Sequence, residues 1–494
     1  MFQKLFKANQ IKEIDRQTIL RKKMPSWELM EYAGTQLFEE IFKHLNTTQQ
    51  IHIFCGVGNN GGDALVVARL FLSRAIRVKC YKVPFSTKTS PDFALNLKKY
   101  KQLNGEIEDF DPDKVGLIDK NDLIIDGIFG TGLSRPADGV AQKAIQLINQ
   151  TKAEIISIDV PSGLYADKSN KPQDAIIKAN LVYTFQFPKI SFFFPENSEY
   201  VQKYNVIDIG LDKEAIEQMP TNYYLITDQI KKLLKPRSKF SYKNDYGHAL
   251  IIGGSYGMFG AAILASKAAL RIGTGLVSNF IPKKAYNISQ TFIPEVMSMT
   301  DEKKNYLTKI KVPEKITAIG IGMGMGQHHK TQKALKKLLK TENKGLLLDA
   351  DAINILALHP KWMKYLPANS ILTPHPGEFR RLAGPWQNDT EKLEKLKSLA
   401  GKHQLIMVLK GAYTFISDGQ NYYINPIANP ALATAGSGDV LSGMITGLLA
   451  QKYTPLNAAL LGVYLHSLTA ENYTKKYNDY SMIASDIINE LKSL

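Results

Sequence analysis

Two cysteines, Cys55 and Cys80, are all that the 494 residues contain. A disulfide-stapled framework and a cysteine-rich zinc module are thereby excluded, and a reducing compartment is expected. No run of about 18 apolar residues occurs, so no transmembrane helix and no membrane partner are expected. The opening MFQKLFKANQIKEIDRQTI carries acids at amphipathic spacing and lacks an apolar stretch followed by a small-residue cleavage site. A mature N-terminus and a cytoplasmic location are expected. Acids are in deficit too, with 46 Asp and Glu against 62 Lys and Arg, a net charge of +16. Basic chains can bind nucleic acid. Here the basic residues are dispersed and no basic tract is interleaved with stacking aromatics, so no nucleic-acid partner is expected. The densest run, TQKALKKLLK (331–340), places Ala334, Leu335, Leu338 and Leu339 on one side, as a solvated helix face does. The chain also lacks an internal repeat period.

What is present is globular: 44% hydrophobic and 22% charged residues, in a length that suggests two or three domains. In the first half, IHIFC (51–55), RVKCYKV (77–83), LIID (123–126), EIISIDV (154–160) and LVYTFQF (181–187) read as strands separated by helical stretches. That alternation means βαβ units and a mostly parallel sheet. A second α/β series begins at HALIIGG (248–254), before a helix rich in small residues, GAAILASKAALRI (260–272). After DIGLD (208–212) the apolar periodicity weakens and KKLLKPRSKFSYKNDYGH (231–248) is basic and turn-rich, so the expected organisation is a domain over 1–215, a linker over 216–235 and a second domain over 236–494.

GVGNNGGD (56–63) follows a strand and opens a helix, where backbone amides can approach an anion. Gly56, Gly58 and Gly61 satisfy G-x-G-x-x-G, yet the next strand ends in CYKVPFSTK without the acid that a dinucleotide site places about 20 residues on. Asn59 and Asn60 precede Gly61, Gly62 and Asp63; Asp126 ends a strand before a second glycine loop, GIFGTGLSRP (127–136); Asp159 ends another in SIDVPSGL. Two carboxylates and an amide at adjacent strand ends would form an oxygen-rich cluster for a hard cation and for proton transfer. Ordinary turn residues are the alternative. In the second half, Gly436-Ser437-Gly438 stands directly before Asp439 and an apolar helix. That arrangement makes an anion hole of amides beside a carboxylate able to accept a proton; a helix-capping aspartate is the alternative. No G-x-x-x-x-G-K-[ST] loop is present, which disfavours a Walker-type ATPase. His375 lies between two prolines in TPHPGE and is either ligand-facing or a plain surface or core histidine. Lys410 could meet phosphate as a point charge, or the KGAYT segment could act through its amides. His328-His329 has no partner at metal-ligand spacing.

GVGNNGGDALVVAR, DGIFGTGLSRP and SIDVPSGLYAD, preceded by PSWELMEYAG, resemble the YjeF N-terminal domain, an NAD(P)H-hydrate epimerase, from about Leu5 to Asp212. The resemblance implies a potassium ion held by Asn60, Asp126 and Ser162. It also implies a hydrated nucleotide bound by Asn59, Asn60, Gly61, Gly62, Asp63, Gly130, Thr131, Gly132, Leu133, Ser134, Arg135, Pro136 and Asp159. Asp159 and Lys189 are then the acid–base residues. Ala64 and Tyr165 stand where the family usually has glycine and aspartate, and FFF at 192–194 reads as a buried strand or subunit contact. NPALATAGSGDVLSGMITGLLAQ, HALIIGGSYGMFGAAILASKAALRIGTGLV, AIGIGMG, LLLDADAINIL, ILTPHPGEFRRL and VLKGAYTFI resemble the YjeF C-terminal NAD(P)H-hydrate dehydratase, a ribokinase-like enzyme. This second resemblance implies a hydrated cofactor near Ala261, Gly322, His375 and Asp439, and an adenine nucleotide at Lys410, Gly411, Ala412, Tyr413, Thr414 and Gly438. Ile321 replaces the family's usual proline.

The expected fold is therefore α/β, with an N-terminal Rossmann-like αβα sandwich and a C-terminal ribokinase-like αβα sandwich. The expected activity is repair of hydrated NADH and NADPH in two steps. The first domain interconverts the R and S epimers; the second dehydrates the S form with ADP (ATP in some relatives), releasing AMP and phosphate. Asp439 would be its catalytic residue and magnesium its metal. A homo-oligomer is expected. A ribokinase-like vitamin or sugar kinase, and an RNA- or partner-binding role for the first domain, are the rival readings.

Overall fold

The computed structural model describes residues 1–45 and 49–493. The chain forms two compact units, one of Lys4–Thr221 with Asn388–Thr390, the other of Met1–Gln3, Asn222–Gln387 and Glu391–Leu494. The segment expected as a linker, 216–235, holds strand Tyr223–Ile226 and the 3₁₀ turn Asp228–Leu233. Ile226 and Ile230 are fully buried in the second core, so this segment is anchored by its apolar residues and is not a free linker.

The first unit is built on seven parallel strands in the spatial order Ile107–Asp109, Val78–Val83, Ile51–Gly56, Leu123–Gly127, Glu154–Ile158, Leu181–Phe185, Tyr204–Ile207. The central strands are continuous apolar runs because helices cover both faces. Ile51, Ile53 and Cys55 pack with Ile14, Leu37, Phe38, Leu65 and Phe71 on one side. On the other, Phe54 and Ile124 meet Ala141, Ala144, Ile145 and Ile148. Those last four recur at helical spacing along Gly139–Gln150, which is why that segment is a helix with one buried stripe. Phe192 to Phe194 are buried, but in and beside the 3₁₀ turn Ile190–Phe193 and not in a strand.

The second unit carries an eleven-stranded sheet. Its parallel part is ordered Met297–Thr300, Leu276–Ile281, His248–Ile252, Ala318–Ile321, Gly345–Leu348, Ile371–Leu372, Ile406–Leu409. The antiparallel strands Phe415–Ser417 and Tyr422–Ile424 follow, then Tyr223–Ile226, with Phe2–Leu5 at the edge. Helix Ser437–Ala450 is buried nearly all round. It packs closely on Phe259–Arg271 because both carry small residues: a Cβ at Gly443 would stand 2.1 Å from the Ala265 carbonyl oxygen.

Counted in chain order, the parallel strands of both units run third, second, first, fourth, fifth, sixth, seventh. The order therefore reverses beside the first strand, between Ile51–Gly56 and Leu123–Gly127 and between His248–Ile252 and Ala318–Ile321. Loops diverge there at the carboxyl ends, opening the crevice in which such sheets bind ligands. Among the described residues no helix is long and apolar enough to cross a membrane.

Candidate functional sites

At the first reversal point lies a cavity of about 780 Å³. Of the residues that the resemblance assigns to a hydrated nucleotide, Asn59, Asn60, Asp63, Gly130 to Pro136 and Asp159 line it. Gly61 and Gly62 do not line it; they let the helix start close in. A Cβ at Gly61 would lie 1.7 Å from the Gly56 carbonyl oxygen, and one at Gly62 would meet the Met30 sulfur at 2.6 Å. Ala64 sits within helix Asn59–Ser73, so no glycine is needed for its backbone.

Beneath the floor, Asp126 is fully buried and accepts four hydrogen bonds. Oδ1 receives Ile128 N–H (3.2 Å) and the Ser162 hydroxyl; Oδ2 receives Ser157 Oγ (2.7 Å) and Ser162 N–H (2.9 Å). Burial still raises its pKa, against those hydrogen bonds. The Asn60 amide reaches the Phe129 and Ile158 carbonyl oxygens at 2.8 and 3.2 Å through Nδ2. An amide's two ends are interchangeable by a half turn. With Oδ1 inward, three neutral oxygens would converge beside one buried carboxylate, a donor set that fits a large monovalent cation.

Asp159 has φ +64°, a left-handed backbone rare outside glycine and found where a site demands it. Lys189, 1% exposed, reaches its Oδ1 at 2.7 Å. The ammonium also lies 2.8 Å from Thr184 Oγ1, 3.0 Å from Phe187 O and 3.2 Å from Phe185 O. Its three N–H donors thus face four acceptors within the protein. Four further acids line the cavity, Asp15, Asp63, Asp92 and Asp138. Asp63 is pushed well above the usual carboxylate range by burial and then by Asp159, Asp15 and Asp92. Asp15, from helix Ala8–Lys22, is raised to about 7 by burial and by Asp159, with Lys189 opposing. Sequence reasoning missed Asp15, since an acid in an amphipathic helix reads as solvent-facing.

The second constellation gathers at strand ends around helix Ser437–Ala450. Gly436 takes φ +84° at the helix start and no side chain caps it, so the amides there face no side-chain acceptor. Asp439 lies in the first turn and is therefore not the helix cap. Burial, then Asp349, raises its pKa to about 7, with Lys410 opposing. Lys410 Nζ pairs with Asp349 Oδ1 at 2.8 Å, and a Cβ on Gly438 would be 3.4 Å from that nitrogen. Burial disfavours the Lys410 charge, but Asp349 and Glu378 outweigh it and raise its pKa. Asp349 is held from the other side by Ser442 Oγ at 2.8 Å. His375 caps helix Pro376–Ala383, accepting Gly377 N–H at Nδ1 (3.0 Å), and its ring is half exposed. Gly322 (φ +128°) and Ala261 both border the 322–324 turn: a Cβ at Gly322 would strike the Asp349 carbonyl, and one at Gly324 would lie 3.0 Å from Ala261 Cβ. Gly411 and Ala412 are exposed, Tyr413 is half-buried, and Thr414 is buried where the segment turns back into strand Phe415–Ser417. Asp349 and Glu378 were not singled out from sequence. Asp349 had a signal, an acid closing the apolar run GLLL.

Two families match the chain in the corresponding places. One described as YjeF-related protein N-terminus covers 26–191, and one described as NAD(P)H-hydrate dehydratase covers 249–493. A bifunctional NAD(P)H-hydrate repair enzyme of Moorella thermoacetica is 34% identical, over 99% of this chain and 96% of its own length. The chain belongs to the bifunctional NAD(P)H-hydrate repair enzyme family. Another member, from Coxiella burnetii, is 34% identical over 99% of both chains. Among solved structures, an ADP/ATP-dependent NAD(P)H-hydrate dehydratase of Bacillus subtilis, co-crystallised with ATP and Mg2+, is 34% identical. It aligns with 54% of this family member and 95% of its own chain at a TM-score of 0.49.

Proposed function

We propose that the chain repairs hydrated NADH and NADPH, interconverting their R and S epimers in the first unit and dehydrating the S form at the expense of ADP in the second. The observation that carries this reading is the uncapped start of helix Ser437–Ala450, with Asp439 in its first turn and Lys410 alongside. Amides at 436–438 suit a transferring phosphoryl group. Asp439, titrating near 7, suits a base that takes the proton of the ring hydroxyl as that oxygen attacks phosphorus. Phosphate leaves far more readily than hydroxide, so elimination restores the dihydropyridine, with AMP and phosphate released. Lys410, oriented by Asp349, would balance phosphate charge, and 410–414 would hold the nucleotide. Ala261, Gly322 and His375 would border the hydrated ring. Among the described residues no group of three His, Cys, Asp or Glu forms a metal site. Magnesium would therefore be held chiefly by the nucleotide phosphates, whose charge it screens.

In the first unit, Asn59, Asp63 and 130–136 would hold the nucleotide. Asp159, paired with Lys189, would take the proton of incoming water. Potassium fits the Asn60, Asp126 and Ser162 floor, where Asp126 has no Lys or Arg partner among the described residues and a cation would offset its buried charge. Both cysteines are free and buried, in keeping with a cytoplasmic enzyme; the homo-oligomer is tested by sedimentation. The decisive experiment mixes purified protein with both epimers of hydrated NADH, potassium, magnesium and ADP, and follows the near-ultraviolet absorbance of the dihydropyridine. Full recovery is expected. Recovery halting at the S fraction would remove the epimerase. A stable phosphorylated product without recovery would point to a kinase.

A further inference from the structure

The epimerase site holds more acid than its assigned chemistry uses. Asp15 projects from helix Ala8–Lys22 into the cavity that Asp63 and Asp159 also line. Its Oδ1 is enclosed and has no hydrogen-bond partner. A buried, unpartnered carboxyl oxygen costs stability unless a ligand completes it. Lys189 cannot supply protons to a ligand without giving up one of its own contacts, because its three N–H donors already face Asp159, Thr184 Oγ1 and two carbonyls. It acts through Asp159, with which it forms an ion pair. The site then has a base and needs an acid.

We propose that Asp15 is the general acid of the epimerase site, giving its proton to the ring hydroxyl of the hydrated nicotinamide as that hydroxyl departs. The inference rests on the epimerase reading. The ring-nitrogen lone pair forms the C6–N double bond as the C6–O bond breaks, and the hydroxyl with the Asp15 proton leaves as water. Water then adds to the opposite face, the C6–N pair returns to nitrogen, and Asp159 takes the released proton for return to Asp15. Nothing is oxidised, and no co-reactant is consumed. The charged groups that share the cavity with Asp15 are Asp159, paired with Lys189, Asp63 from helix Asn59–Ser73, Asp92, Arg135 and Asp138, and Lys12 one turn earlier on its own helix. Burial and then Asp159 hold Asp15 protonated up to about pH 7, with Lys189 opposing. The rate should fall as pH rises through that value.

The test uses the full chain, the isolated S epimer of hydrated NADH and no ADP, following appearance of the R epimer by chromatography between pH 6 and 9. Asp15→Asn should slow interconversion by about 100-fold or more and abolish the decline above neutrality. Half-saturation and ADP-driven dehydration of the S form should stay unchanged. Asp15→Glu should restore much of the rate with the decline displaced in pH. A rate for Asp15→Asn within about threefold of the unaltered protein, or a slow variant with the same pH decline, would overturn the proposal. If Asp15→Asn also loses dehydration, Asp15→Glu decides, and an undisplaced decline counts against Asp15. If the unaltered protein does not exceed spontaneous interconversion, the epimerase reading itself fails and Asp15 with it.

Discussion

Asp439 serves chemistry at the expense of the fold. Its carboxyl titrates near 7 in the folded chain and near 3.8 when free. The folded state therefore binds the extra proton between those values and loses stability as pH rises through them. Asp439→Asn escapes that loss. It should stabilise the second unit by about 1–3 kcal/mol at pH 8 and not at all near pH 3, read by thermal unfolding, while slowing dehydration by about 100-fold or more. Single residues of this kind were legible in sequence from their glycine-rich surroundings: Asp439 follows Gly436-Ser437-Gly438, Asp159 precedes VPSG, and Asp126 closes an apolar run directly before Gly127. Asp349 carries half of that pattern, an acid after GLLL but followed by Ala350, whose φ of +48° does a glycine's work. Asp15 carries none of it, because its enclosure comes from residues distant in the chain.

At the scale of the element, the glycines that open the two helices do different things. Gly61 is a matter of room, since its Cβ would collide with the Gly56 carbonyl. Gly436 is a matter of backbone hand, at φ +84°, with Leu264 Cδ1 2.7 Å from where a Cβ would be. Gly436→Ala should cost about 1–2 kcal/mol and raise the KM for ADP about tenfold or more as the amides shift, with epimer interconversion unchanged. Steady-state kinetics on both reactions checks this. Gly61→Ala should leave the ADP-dependent step intact and abolish interconversion. Elements buried on both faces were legible as apolar runs such as Ile51–Gly56. The strands Phe2–Leu5 and Tyr223–Ile226 were not, since they are short and their pairing is non-local.

Across the whole molecule, the two constellations stand on separate sheets that reverse order at the same strand. Asp159→Asn should leave S dehydration at the unaltered rate and halt recovery from an epimer mixture at the S fraction. Asp439→Asn should permit interconversion without recovery. Absorbance amplitudes and chromatography read the two outcomes. The two-unit organisation was legible from motif order, and the change of units between Thr221 and Asn222 falls within the segment expected to join them. Residues 216–235 read as a linker because the helical and strand periodicity weakens there, yet Ile226 and Ile230 anchor them in the second core.

Residues 1–3 belong to the second unit although residues 4–221 form the first. Phe2 packs its ring on Tyr224 and Tyr423 at 6.2 and 5.3 Å, and Thr227 N–H bonds to the Met1 carbonyl oxygen at 3.0 Å. Cutting the gene between 221 and 222 would therefore not yield two tidy halves. The dehydratase fragment would present Tyr223–Ile226 as a bare edge strand, open to pairing with another copy. Grafting the first residues back ahead of Asn222 would be the way to keep that fragment from aggregating.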